Sequence, residues 1–241
     1  MTGDPRHDIL VACAPTAAAA RHAHLLSAEE SLQAEAFAPR RAQEFTAGRA
    51  LLRWALERSL GSWTRACRVG RTGRGKPLLE DLPSTGISVS HSGETVAVAV
   101  AVGRAVGVDI QDPVPPTTGL LNRCCSPEQQ RELAVLPPER RAAALARRWT
   151  IHEACAKATG TGLMRGPETY PGALLADGGS WRGLRWRVLQ PLPGSALAVA
   201  FDQPHRPAVI RLAVMARKPV PLTPPPPSSP PHAPERRPVS R

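Results

Sequence analysis

Apolar residues along this chain fall into two kinds of stretch. In one they alternate with polar residues or run uninterrupted for a few positions between glycine, proline and serine. In the other they recur every three to four residues. The first kind predicts strands at Asp8 to Ala14, Ile87 to Ser92, Thr95 to Val102 and Val106 to Gln111, each rich in small or β-branched residues and too short for a stable helix. The last three follow one another closely and read as a meander. On the final strand Asp109 and Gln111 point to one face and Val108 and Ile110 to the other. A carboxylate and His91 at strand ends then face a shared cleft, although the same pattern suits a plain hairpin with polar ends. Later runs at Leu184 to Leu189, Ala196 to Phe201 and Ala208 to Val214 suit a second sheet.

The second kind predicts helices. Ser27-Ala-Glu-Glu30 has the form of a capping box and opens a short helix through Phe37, ended by Pro39. From Arg40 to Leu60, Phe45, Leu51, Leu52, Ala55, Leu56 and Leu60 recur near helical spacing, and Gly61 supplies a stop. Ser126-Pro-Glu128 marks another start. Pro137-Pro138 opens a helix to about Thr159, closed by Gly160 and Gly162. The order of elements predicts an α+β chain of two similar halves, residues 1–104 and 105–217, with a cleft between them. From Lys218 to Arg241 ten of the chain's 27 prolines crowd together, which predicts a disordered tail.

Composition narrows the class. A 42% apolar fraction in 241 residues supports a real core. Five cysteines, odd in number and without a Cys-x-x-Cys pair, fit a reducing compartment. No run approaches the roughly 20 apolar residues of a membrane span, and Met1 to Ala20 lacks the basic start and apolar core of a signal peptide. A soluble, cytoplasmic monomer without a membrane partner is expected. The formal charge of +11 asks for an anionic partner. Nucleic acid is the first to weigh, yet no helix-turn-helix, zinc-finger spacing or aromatic-basic motif is present, and aromatics make up only 4%.

Several residues carry candidate chemistry. Arg49 and Arg53 lie four apart, so both can reach one anion or both can sit on a solvated face. Gly70-Arg-Thr-Gly73-Arg-Gly75-Lys76-Pro77 has three glycines that let backbone N–H groups approach a phosphate, and three cations, but Pro77 replaces the Ser or Thr of a Walker loop. Glu153 and Lys157 share a helix face, as a surface ion pair or, given their apolar surroundings, as a partly buried functional one. His152-Glu153 begins a zinc-protease motif whose second histidine is replaced by Ala156, and no Gly-x-Ser-x-Gly elbow exists around His91.

In order along residues 40 to 165, Gly48-Arg49 with Leu51-Leu52, Gly75-Lys76-Pro77, Ile87-Ser-Val-Ser90-His91-Ser, Gly107-Val-Asp109, and Trp149-Thr-x-x-Glu153-Ala-x-x-Lys157 followed by Gly160-Thr-Gly162-Leu163 resemble the 4'-phosphopantetheinyl transferases of the surfactin-synthetase-activating type. The ordered set, more than any one piece, carries the resemblance. It implies a pseudo-twofold pair of α+β halves and a Mg2+-dependent enzyme that moves the 4'-phosphopantetheine arm of coenzyme A to a serine of an apo acyl or peptidyl carrier protein, releasing 3',5'-ADP. Carrier proteins of polyketide, nonribosomal peptide or fatty-acid synthesis would be its partners, and no nucleic acid.

The resemblance also implies roles. Arg49, Lys76 and His91 would contact the phosphates of coenzyme A, with Arg53, Pro77, Ser90 and Lys157 beside them. Asp109 and Glu153 would hold Mg2+, with Gln111 near it. Glu153 would remove the serine proton, and Lys157 and His91 would steady phosphate charge. Two positions depart from the family pattern: Gln111 stands where a third carboxylate is common, and His152 where a lysine is. Arg40 and Arg41 are candidates for the 3'-phosphate. The rival readings are a basic RNA-binding or scaffold protein without catalysis, and a different Mg2+-dependent phosphoryl-transfer enzyme; neither a scaffold nor RNA binding requires Asp109 paired with Glu153.

Overall fold

A computed structural model of the protein describes residues 9–162, 173–190, 194–203 and 208–215. The proline-rich tail expected at 218–241 and Leu163 of the last motif lie outside the described residues. Within them the chain is α+β. It begins with strand β1 (Ile9–Pro15), a short helix α1 (Thr16–Ala20), α2 (Ala28–Glu35) and α3 (Pro39–Leu60). A two-stranded ribbon, β2 (Val69–Arg71) and β3 (Pro77–Leu79), leads to β4 (Thr85–Ser92), β5 (Thr95–Val102) and β6 (Val106–Gln111). Helices α4 (Thr118–Cys124), α5 (Pro127–Val135) and α6 (Pro138–Thr159) follow, then β7 (Gly178–Trp181), β8 (Leu184–Leu189), β9 (Ala196–Asp202) and β10 (Ile210–Val214).

The starts of α2, α3, α5 and α6 lie at or next to the positions that the sequence signals. Ser27 and Glu30 close a reciprocal capping box on α2, and Ser126 and Gln129 do the same on α5. Pro39 opens α3 as its first residue, where its missing N–H costs nothing, so one proline both ends the α2 segment and begins the next helix. Gly160, at φ 68°, takes the left-handed conformation that stops α6.

Two four-stranded sheets form the frame. The first has the order β10-β1-β5-β4, with β1 parallel to β10 and antiparallel to β5. The second, β6-β9-β8-β7, is antiparallel throughout. Strands β1 and β5 are almost wholly apolar because both faces are covered. Leu10, Ala12, Ala14, Val96, Val98 and Val100 pack under α3 with Leu51, Leu52 and Leu56. Ile9, Val11, Cys13, Ala97, Ala99 and Ala101 meet Val106, Val108, Ile110 and the inner face of β9. Leu51, Leu52 and Leu56 are fully buried, and each contributes about 1.5–3 kcal/mol. Helix α6 covers the other face of the second sheet through Ile151, Ala154, Cys155 and Ala158. Gly107 makes that approach possible, since a Cβ there would stand 2.1 Å from the Ala154 carbonyl oxygen.

Two expectations change. The run Ala208 to Val214 does not extend the second sheet; β10 returns to pair in parallel with β1 in the first. Nor do β4, β5 and β6 form a continuous meander. Strand β6 pairs with β9, and it meets β4 through side chains: Ser88, Ser90 and Ser92 accept the N–H groups of Val108, Ile110 and Asp112 at 3.0, 3.4 and 3.0 Å. The two-residue period of a strand places these three hydroxyls on one face, so they stitch the two sheets together. No helix among the described residues is long and apolar enough to cross a membrane.

Candidate active site

A cavity of about 310 Å³ opens where α3, the ribbon loop, β4 and α6 converge. Arg41, Arg49, Arg71, Arg74, Lys76 and Lys157 line it against two acids, Glu44 and Glu153. Such an excess of cation around a concave surface suits an anion with several charges. Pro77 and His91 also reach it, so seven of the residues singled out in the sequence share one cavity: Arg41, Arg49, Lys76, Pro77, His91, Glu153 and Lys157.

Each is held by its own element. Arg49 is buried on α3, stacked 5.2 Å over the Phe45 ring and 3.6 Å from Glu30. Burial pulls its pKa down, Glu30 opposes that, and Arg71 and Arg53 add repulsion, so an anion in the cavity would relieve like charges. Lys76 crosses from the ribbon to donate to the Ala158 carbonyl at 2.7 Å and the Val106 carbonyl at 3.3 Å, tying the end of α6 to the start of β6. Burial lowers its pKa as well, with Asp202 opposing. His91, at the exposed end of β4, lies 3.5 Å from Arg41 and 3.8 Å from Glu44. Glu44 also bonds Arg40 at 3.2 Å and lies 3.7 Å from Arg41, which makes it the organiser of this rim.

Asp109 sits behind the cavity, 4% exposed. Its Oδ1 accepts from Ser90 and from Lys157, each at 2.6 Å, while its Oδ2 is buried with no hydrogen bond among the described residues. Burial raises its pKa; Lys157, Ser90 and His91 oppose. Glu153 is half-buried, and its pKa is raised first by burial and then by the charge of Asp109. The two carboxylates are therefore neighbours that repel, with one oxygen left without a donor. That donor set suits a small hard cation such as Mg2+, which takes one or two carboxylates and fills its octahedron with water and phosphate oxygens. No group of three or more His, Cys, Asp or Glu that could hold a metal occurs among the described residues.

Arg40, Arg53, Ser90 and Gln111 do not line the cavity. Arg53 turns the other way, its Nε and one terminal nitrogen on Glu30 at 3.1 and 3.0 Å and the other on the carbonyls of Thr64, Arg65 and Cys67. It joins α3 to α2 and the following turn. Gln111 stays on β6 on the face of Asp109 but outside the lining. Arg40 lies on a neighbouring hollow with Thr16, Gln43 and Glu94. Sequence reasoning missed Glu44, Arg71 and Arg74 as lining residues. The two arginines were legible as part of the glycine loop; Glu44 had no signal beyond its place one turn before Gly48.

The sequence is similar to known proteins. A family model described as the 4'-phosphopantetheinyl transferase superfamily matches residues 105–187. The 4'-phosphopantetheinyl transferase psf-1 of Bacillus pumilus is 34% identical over 106 residues, which is 44% of this chain and 45% of the relative. The 4'-phosphopantetheinyl transferase HetI of Nostoc sp. is 34% identical over 146 residues, 58% of this chain and 62% of that protein. A putative 4'-phosphopantetheinyl transferase of Synechocystis sp. is 33% identical over 147 residues, 59% of this chain and 60% of that protein. The chain thus spans about half to three-fifths of the length of the curated relatives it matches. Residues 105–187, the stretch that resembles the 4'-phosphopantetheinyl transferase superfamily, hold Asp109, Glu153 and Lys157.

Proposed function

We propose that the protein transfers the 4'-phosphopantetheine arm of coenzyme A to a serine of an apo acyl or peptidyl carrier protein and releases 3',5'-ADP. The observation that carries this reading is one cavity whose arginine- and lysine-rich wall also holds Glu153, with the buried Asp109 behind it. Arg49, Lys76 and His91 bind the phosphates of coenzyme A, and Arg41, Arg71 and Arg74 widen the cationic wall. Glu153 accepts the proton of the carrier serine as its oxygen bonds to the β-phosphorus; the bond to the bridging oxygen breaks and 3',5'-ADP departs with that oxygen. Lys157, beside the reacting phosphates, offsets charge that grows on the leaving group. Asp109 and Glu153 would hold Mg2+, with Gln111 near it, and the ion would supply charge neutralisation to phosphate oxygens.

In this reading the chain is two similar α+β halves, 1–104 and 105–217, with the site in the cleft between them. It acts in the cytoplasm as a monomer on carriers of polyketide, nonribosomal peptide or fatty-acid synthesis. Incubation of an apo carrier protein with coenzyme A, Mg2+ and the protein, read by intact mass, tests it: one phosphopantetheine gained per carrier is expected. No gain on any of several carriers sinks the assignment, and tight, salt-dependent RNA binding unaffected by Asp109→Ala would favour the scaffold reading instead.

A further inference from the structure

The Ser90 hydroxyl has three polar neighbours, and their chemistry fixes its orientation. It lies 3.4 Å from the Ile110 N–H, 3.0 Å from the Lys157 ammonium and 2.6 Å from Asp109 Oδ1. An amide N–H and an ammonium can only donate, so both take lone pairs of the hydroxyl oxygen, and its one proton goes to Asp109. At 5% exposure little solvent competes for these bonds. Asp109 Oδ1 therefore receives two donors, Ser90 and Lys157, while Oδ2 receives none among the described residues.

We infer that Ser90 is a positioning residue that presents Asp109 to a divalent cation through Oδ2 alone and thereby favours Mg2+ over Ca2+. The inference rests on the metal reading of the proposed function and adds to it the way one carboxylate is used. Mg2+ takes single carboxylate oxygens at short range in a strict octahedron, whereas Ca2+ takes more oxygens and often both of one carboxylate. A carboxylate with one oxygen committed to a hydroxyl and an ammonium has only the other to offer. Ser90 is thus assigned to the metal ligand and not to the phosphate contact that the resemblance implies. Its neighbour in the stitch supplies a control: Ser92 accepts the Asp112 N–H at 3.0 Å with the same local geometry, on a different residue from Asp109.

The test measures binding of Mn2+ to the full chain by electron paramagnetic resonance, with Mg2+ and Ca2+ as competitors. It compares the wild type with Ser90→Ala, Ser90→Thr, Ser92→Ala and Asp109→Ala. Ser90→Ala should weaken Mg2+ by about 10–100-fold, the usual cost of removing a hydrogen-bond partner of a metal ligand. Ca2+ should weaken less, so the preference for Mg2+ narrows. Ser90→Thr keeps the hydroxyl and should keep the preference. Ser92→Ala loses a stitch bond only and should change neither ion. Equal effects in Ser90→Ala and Ser92→Ala, or an unchanged preference in Ser90→Ala, overturn the assignment. So does a wild type in which Ca2+ competes as well as Mg2+, a measurement that needs no folded variant. Mn2+ binding that Asp109→Ala leaves intact would refute the metal reading itself, which is a separate result.

Discussion

Helices α3 and α6 are each 22 residues long, begin with proline, end at a glycine of positive φ, and carry a charged pair four residues apart. On α3 the pair is Arg49 and Arg53; on α6 it is Glu153 and Lys157. Arg53 is closed in by α2 and the turn after α3, where Glu30 and three carbonyls take its nitrogens. Lys157 instead reaches across to Asp109 on β6, and Glu153 faces the cavity. Helical spacing decides only that two side chains share a face. What the rest of the chain lays over that face decides whether the charges hold the fold or meet a ligand.

Mutation at the two pairs should separate these outcomes sharply. Glu153→Ala should slow transfer by about 10²–10⁴-fold, the usual contribution of a general base, with little change in thermal midpoint. Asp109→Ala should be as severe. Mass gain on an apo carrier is the readout, and near wild-type turnover in either variant would remove the carboxylate pair from the mechanism. Arg53→Ala should do the reverse, costing roughly 3–5 kcal/mol of stability by leaving Glu30 with a weakened partner in a buried site. Denaturant melts measure that loss. A well-folded Arg53→Ala whose only defect is a raised KM for coenzyme A would return Arg53 to the anion site.

Glycines at the helix seats sharpen the comparison at a smaller scale. A Cβ on Gly107 would stand 2.1 Å from the Ala154 carbonyl oxygen and 2.4 Å from the Ala158 nitrogen, both backbone of α6. A Cβ on Gly48 would meet only Val89 Cγ1, at 3.1 Å. Gly107→Ala should therefore push α6 off β6, costing about 1–3 kcal/mol or more and lowering kcat as Glu153 moves from Asp109. Gly48→Ala should be the milder of the two, since a valine side chain can yield. Equal effects would mean that α6 tolerates displacement and that the spacing of the two carboxylates is not critical.

Most elements were legible because their signals are local. Capping boxes at Ser27 and Ser126, Pro138 and Gly160 at the ends of α6, and the apolar runs of β1 and β5 each act within a few residues. What stayed hidden depends on partners far along the chain. An apolar run such as Ala208 to Val214 fits either sheet, and only the folded chain shows β10 beside β1. The serines of Ile87 to Ser92 were visible as an alternating polar face, but nothing local says that a hydroxyl will replace a main-chain ladder between β4 and β6. Arg53 failed for the same reason: its destiny is set by Glu30, 23 residues earlier on another helix.

The smallest expected effect concerns pH. Burial holds the carboxyls of Asp109 and Glu153 above their ordinary values of 3.8 and 4.5. A folded protein that keeps a proton which its unfolded chain has already released binds more protons than the unfolded chain does. Stability then falls as pH rises from those ordinary values through the raised ones, the opposite of an acid held by a dominant salt bridge. Asp109→Asn and Glu153→Gln keep the shape without the charge, so each should flatten part of this decline. At neutral pH each should melt at or a few degrees above the wild type, on a scale of about 2–4 °C per kcal/mol for a chain of this size, although transfer is lost. Calorimetry between pH 4 and 8 with a chelator present makes the comparison without bound metal. A wild-type midpoint that climbs over that range more steeply than both amide variants would mean that Lys157, 2.6 Å from Asp109, outweighs the cost of burial. The pair on α6 would then stabilise the fold much as Arg53 does on α3.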